Sequence, residues 1–293
     1  MVLAPAGGAV RNRGRCGRVT AGGRIYLATP SAGRGFSGVQ NLFHRDLGGA
    51  GLPPLVLLHG MLGSSRNWLT TGADLAARHH VLAPDLRNHG RSFHDPAMDY
   101  DELQADVARW MDAHVGGPVT LVGHSMGGKT AMLLACRQPE RVERLVIVDI
   151  APRGYFWPAH RASFAAMNEL DLRDLRSRAE AELRFEARVP AAGTRKFLAT
   201  NLERNEAGVW SWLVNLPVLT DALERLEANP LGETDRYEGP VRFLAGGLSD
   251  YIEPRDHEVI RRHFPRAEVR VLHGCGHNPH MEARAEFVAA VLG

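Results

Sequence analysis

An apolar run, Pro118-Val119-Thr120-Leu121-Val122, passes directly into Gly123-His124-Ser125-Met126-Gly127-Gly128. The next stretch, Lys129 to Cys136, is helix-compatible and closes at Pro139. A short apolar run of this kind suits a buried parallel strand. Gly-x-Ser-x-Gly between such a strand and a helix is a nucleophile elbow. It is a sharp turn that holds a serine hydroxyl proud of a sheet, in a backbone geometry that only flanking glycines leave room for. A chain that makes this turn needs a parallel sheet leading into it and a helix leading out.

The surrounding pattern meets that requirement. Strand-like runs alternate with helical spacing: Val39–Arg45 as an early edge strand, Leu55–Leu58, His80–Ala83, Leu145–Val148, Val241–Ala245 and Val269–Leu272. Such alternation is the signature of a parallel sheet covered on both faces. Asp99 to His114 has helical spacing, with Leu103, Val107, Trp110 and Met111 on one side. Between Pro152 and Gly239 the rhythm stops, and helical blocks such as Arg161–Leu170, Leu175–Val189 and Arg195–Leu202 replace it, with a bulky cluster at Trp210, Trp212 and Leu213. An all-helical insertion on the side where strands end is placed to roof a site there.

A serine hydroxyl is a poor nucleophile until a base takes its proton, so Ser125 needs a histidine and an acid. In this topology the order is serine, acid, histidine, with the last two on loops after the final strands. His277 lies in Gly274-Cys275-Gly276-His277-Asn278-Pro279, directly after the last strand run. His280 is its local rival, placed at the entrance to the next segment. Asp250, after the run Val241–Ala245, is the expected acid. Asp149, which ends another central strand beyond the elbow, is the alternative. The oxyanion of a tetrahedral intermediate needs backbone N–H donors, and these are expected from Met126 and from Met61 in His59-Gly60-Met61-Leu62-Gly63. Lys129 is expected in a structural ion pair, and Arg87, His89 and Arg91 in a loop held by its own hydrogen bonds. Cys275 reads as a small buried loop residue.

Four motifs stand in order: His59-Gly60-Met61-Leu62-Gly63-Ser64-Ser65-Arg66-Asn67-Trp68; Asp85-Leu86-Arg87-Asn88-His89-Gly90-Arg91-Ser92; Gly123 to Thr130; and Val148-Asp149-Ile150-Ala151-Pro152. Together they resemble the α/β-hydrolase esterases of the YbfF and ABHD11 type, from about Val39 to the C-terminus. The resemblance implies an α/β-hydrolase fold with a mostly parallel eight-stranded sheet flanked by helices. Residues 37–151 and 239–293 would form its core, and residues 152–238 a helical cap inserted after the sixth strand. It further implies a hydrolase of short- to medium-chain acyl esters or thioesters, acyl-CoA included, that needs no cofactor. Some relatives use an acid at the position of Asp149, and this chain has both carboxylates. Carbon–carbon bond hydrolysis, perhydrolysis and a non-catalytic ligand receptor are the competing uses of such a site. A serine at the elbow excludes dehalogenase and epoxide-hydrolase chemistry, which needs a carboxylate there.

Composition narrows the partners. Net charge is +2 in 293 residues, with acidic side chains interleaved among the arginines, so no nucleic-acid partner is expected. No apolar run approaches the ~18 residues of a membrane span. Three scattered cysteines, Cys16, Cys136 and Cys275, suggest neither a disulfide framework nor a zinc site. His79-His80 and the pair His257 and His263 lack ligand spacing, so no metal site is expected. A cytoplasmic monomer or small homo-oligomer is expected. Residues 1–36 are basic and acid-free, and read as a disordered extension; an organellar transit peptide is the alternative.

Overall fold

The computed structural model describes residues 41–293; the expected N-terminal extension 1–36 and Cys16 lie outside them. Nine strands are present among the described residues: β1 (His44–Asp46), β2 (Pro54–Leu58), β3 (His80–Pro84), β4 (Val119–His124), β5 (Val142–Val148), β6 (Leu202–Arg204), β7 (Trp210–Trp212), β8 (Val241–Gly246) and β9 (Ala267–Leu272). The helices are α1 (Leu69–Leu75), α2 (Tyr100–His114), α3 (Met126–Arg137), α4 (Pro158–Glu169), α5 (Arg178–Phe185), α6 (Ala192–Ala199), α7 (Leu216–Glu227), α8 (His257–His263), α9 (Pro279–Glu282) and α10 (Arg284–Leu292).

Seven strands form one sheet in the order β1-β3-β2-β4-β5-β8-β9. Only β1 is antiparallel to its neighbour. The alternation of side chains along a strand divides the core in two. Val56, Leu58, Leu121, Leu145, Ile147 and Phe243 pack on one face, while Leu55, Leu57, Val122, Val146, Val148 and Leu244 pack on the other. Both faces are therefore apolar and covered, which is why these strands read as continuous hydrophobic runs. Asp99 caps α2, its carboxylate accepting from the Glu102 amide.

Three expectations need correction. The sheet has seven strands among the described residues rather than eight. Val39 and Gln40 of the expected edge strand lie outside the described residues; of the rest of Val39–Arg45, only His44 and Arg45 fall in the strand, β1, which pairs with β3 in the register His44 to Pro84. Among the described residues the insertion therefore follows the fifth strand, β5, instead of a sixth, and it is not all helical. Its β6 and β7 form a hairpin in which Leu202 pairs with Trp212 and Arg204 with Trp210. The turn uses Gly208 at φ 80°, a backbone conformation natural to glycine. The signal was the alternating Trp210-Ser211-Trp212 beyond Asn205 and Gly208, too short to register as a strand.

Candidate active site

The site forms where β2, β4, β5, β8 and β9 end, at the carboxyl edge of the sheet. Ser125 joins β4 to α3 at φ 52° and ψ −116°, a strained conformation for a residue with a side chain. Its amide donates to the Val148 carbonyl at 3.1 Å, anchoring the turn to β5. The neighbouring glycines are a steric necessity. A Cβ on Gly123 would stand 2.3 Å from the Gly127 carbonyl oxygen, and one on Gly127 would stand 2.5 Å from the His59 carbonyl oxygen.

His277 Nδ1 donates to Asp149 Oδ2 at 2.8 Å. Asp149 is fully buried, and it too has a left-handed backbone, at φ 50°. Its second oxygen accepts from the Gly246 amide at 2.8 Å, and Oδ2 also accepts from the Ser249 hydroxyl. The expected acid, Asp250, is not in this arrangement. It is exposed at the surface, and the contact it makes is through its carbonyl, to Arg153 at 3.4 Å. The left-handed turn at Asp149 throws the carboxylate across the end of β8, and the residue of the β8 loop that meets it is Ser249. Tyr251 stacks on the His277 ring with centroids 3.8 Å apart, fixing the plane of the imidazole. Neither Ser249 nor Tyr251 was singled out in the sequence, since their roles depend on the loops after β5, β8 and β9 meeting.

His280 is no rival to His277. It is buried on α9, its ring tilted against Trp68 and beside His124, and burial lowers its pKa to about 3. His124 lies between the two, its Nε2 donating to the His277 carbonyl at 2.8 Å. Cys275 is buried as expected, its thiol bonded to the Leu272 carbonyl.

Met61 and Met126 flank the serine, from the β2 loop and the first residue of α3. Among the described residues neither amide has a hydrogen-bond partner. The residue after Met61 is held on both sides. Leu62 sits at φ 59°, its amide donating to His89 Nε2 at 3.2 Å and its carbonyl accepting from Asn201 Nδ2 at 2.9 Å. His89 Nδ1 in turn donates to the Arg87 carbonyl at 2.8 Å, so both nitrogens of a neutral ring are used. Burial lowers its pKa to about 3. The Arg-Asn-His-Gly-Arg-Ser loop thus supports the Met61 loop, a link between segments distant in the chain.

Arg87 is buried against Asp106 and Glu102. Lys129 departs from expectation: among the described residues no carboxylate pairs with it. Its ammonium donates to the Glu227 and Ala228 carbonyls, at 3.0 and 2.6 Å, at the end of α7. Tyr100, Tyr155 and Trp157 surround it at 4.9 to 5.7 Å from their centroids. The carbonyls at a helix C-terminus carry the partial negative charge that a carboxylate would otherwise supply. Burial still lowers the lysine pKa to about 7.

Ser125 and His277 open onto one cavity of about 470 Å³. Met61, Leu62, Phe197, Leu198 and Met281 give it apolar walls, and His160 on α4 reaches in from the insertion. Burial lowers the His160 pKa to about 4. Among the described residues no helix is long and apolar enough to cross a membrane.

A parallel sheet with a serine on a left-handed strand-to-helix turn is the architecture of the α/β hydrolases. The chain belongs to that family: the model of the alpha/beta hydrolase fold matches residues 53–284. The sn-1-specific diacylglycerol lipase ABHD11 of Mus musculus is 39% identical over 251 residues, which cover 83% of this chain and 81% of that protein. Esterase YbfF of Escherichia coli strain K12 is 33% identical over 238 residues, covering 81% of this chain and 91% of that protein. Among solved structures, a marine microorganism esterase superposes with a TM-score of 0.84 at 32% identity, over 86% of this chain and 98% of that one.

Proposed function

We propose that the protein is a serine hydrolase of carboxylic esters and acyl thioesters, working through an acyl-enzyme. Ser125 is the nucleophile, His277 the base, and Asp149, in place of Asp250, the acid. The single observation that carries this is the His277 Nδ1 bond to buried Asp149 beside the cavity that holds Ser125. With Nδ1–H committed to the carboxylate, Nε2 is the nitrogen left to take the serine proton.

Ser125 Oγ attacks the acyl carbonyl as His277 accepts its proton, and Asp149 stabilises the imidazolium that results. The carbonyl oxygen becomes an oxyanion received by the Met61 and Met126 amides, which sit on a braced loop and at a helix N-terminus. The protonated imidazole then gives its proton to the departing alcohol or thiol. Water repeats the sequence on the acyl-enzyme and frees the acid. No step requires a cofactor.

The segment 152–238 acts as the cap. Its α4 and α6 supply His160, Phe197 and Leu198 to the cavity, whose apolar walls suit short to medium acyl chains. The names of the relatives, an esterase and a diacylglycerol lipase, accord with this class of substrate. The test is labelling with a fluorophosphonate together with hydrolysis of p-nitrophenyl butyrate. Ser125→Ala is expected to lose both. Undiminished turnover by that variant would refute the mechanism.

A further inference from the structure

A second cavity, of about 430 Å³, adjoins the catalytic one. Leu62 lines one and Gly63 the other, and Met281 lines both. Consecutive Cα atoms are only about 3.8 Å apart, so the two spaces share a wall. The second cavity differs sharply in charge. Arg45, Arg66, Arg91 and Arg178 line it together with two acidic residues, Asp85 and Glu203, which leaves a surplus of two positive charges.

These guanidinium groups lack the usual partners. Arg137, Arg141, Arg184 and Arg284 each meet a carboxylate, whereas among the described residues none of the four in the cavity does. Asp85 spends its oxygens on the amides of Ser65 and Arg91, at 2.6 and 2.8 Å. Arg178 donates to the Leu202 carbonyl. Arg45 Nε is buried and has no hydrogen-bond partner among the described residues. Arg45 and Arg91 both lie against Phe43, at 5.6 and 4.5 Å from its centroid. Like charges held against one ring repel each other unless an anion neutralises them.

We propose that this cavity is a subsite for the phosphate of a phosphate-bearing acyl ester or thioester. It holds the leaving group while the acyl chain occupies the catalytic cavity. The inference rests on the reading of the chain as a serine ester hydrolase. A phosphate monoester carries a charge of about −1.5 to −2 near neutral pH, which matches the surplus. Its several oxygens suit converging guanidinium forks, which bind phosphate bidentately.

The test compares 1-octanoylglycerol with 1-octanoylglycerol 3-phosphate, a pair that differs by the phosphate alone, and adds octanoyl-CoA as a second phosphate-bearing acyl donor. The exposed side chains Arg66 and Arg91 are changed together, as Arg66→Glu with Arg91→Glu, in the full chain. Wild type is expected to favour the phosphate-bearing esters in kcat/KM. The double variant is expected to lower the ratio of phosphate-bearing to neutral ester at least tenfold, and a ratio is insensitive to a change in the folded fraction. Whichever of the two phosphate-bearing donors loses more identifies the source of the phosphate. Inorganic pyrophosphate is expected to raise the Tm of wild type and not that of the variant. An unchanged ratio overturns the subsite while the hydrolase reading stands, even where pyrophosphate binds. Cleavage of none of these esters, p-nitrophenyl butyrate included, overturns both.

Discussion

Replacing Asp149 by asparagine changes one atom of a carboxylate that serves three donors: the Gly246 amide, the Ser249 hydroxyl and His277 Nδ1. The new NH₂ must occupy one of the two oxygen positions. At Oδ1 it would face the Gly246 N–H, a fixed backbone donor. Leaving that buried amide unpaired costs about 1–3 kcal/mol. At Oδ2 it faces Ser249, whose hydroxyl can rotate to accept, and His277 Nδ1. The second orientation is therefore preferred, and it turns the histidine round. An NH₂ donating to Nδ1 forces the ring proton onto Nε2, the nitrogen that must accept from Ser125. In triad hydrolases this wrong tautomer lowers kcat by about 10⁴, equivalent to about 5 kcal/mol of transition-state stabilisation at ~1.36 kcal/mol per decade. Asp250→Asn removes a charge from an exposed side chain outside the network and is expected to change kcat less than about threefold. The assay is kcat and kcat/KM for p-nitrophenyl butyrate between pH 5 and 9, with melting curves to confirm folding. A loss of several hundredfold in Asp250→Asn, with Asp149→Asn retaining activity, would refute the assignment.

Other outcomes follow from the same contacts. Gly127→Ala places a Cβ 2.5 Å from the His59 carbonyl oxygen and 2.6 Å from that of Leu58, and is expected to cost about 3 kcal/mol or more, visible as a Tm lowered by several degrees. Asn201→Ala leaves the Leu62 carbonyl without its partner from the cap; kcat for p-nitrophenyl butyrate is expected to fall about tenfold with KM little changed, as for a donor loop that is less well held. Lys129 sets a pH dependence of stability. Its pKa is about 7 when folded against an ordinary lysine value of 10.5. Between those values the unfolded chain holds a proton that the folded one lacks. Stability therefore rises with pH across that window, by at most about 1.4 kcal/mol per pH unit. Urea titrations of wild type between pH 7 and 10 are expected to show that slope relative to Lys129→Met, and parallel curves for the two would refute it.

Whatever depends on neighbours close in the chain was legible before any coordinates. The Gly123-to-Gly127 spacing marks the elbow because the steric demand is local, and the structure shows it as clashes a Cβ would make with the Gly127 and His59 carbonyls. The continuous apolar strands announced a sheet covered on both faces. The flanking glycines and the position after β9 marked the loop of His277. Three-residue strands escaped, because Trp210-Ser211-Trp212 is too short for periodicity to assert itself.

The pairing of distant segments was decided by tertiary structure alone. Asp149 and Asp250 both follow strand ends, and nothing in their local sequence says which reaches the histidine. The choice is made by a left-handed turn at Asp149, by β5, β8 and β9 lying side by side, and by Ser249 occupying the loop position that Asp250 narrowly misses. Lys129 was read as half of an ion pair because a charge calls for an opposite charge; the fold instead supplied carbonyls at the end of α7, almost a hundred residues away. The four arginines of the second cavity come from residues 45 to 178 of the chain. Amino-acid type and local spacing set what each side chain can do, whereas electrostatic and hydrogen-bond partners are set by distance in space, which only the packing of the sheet and its insertion determines.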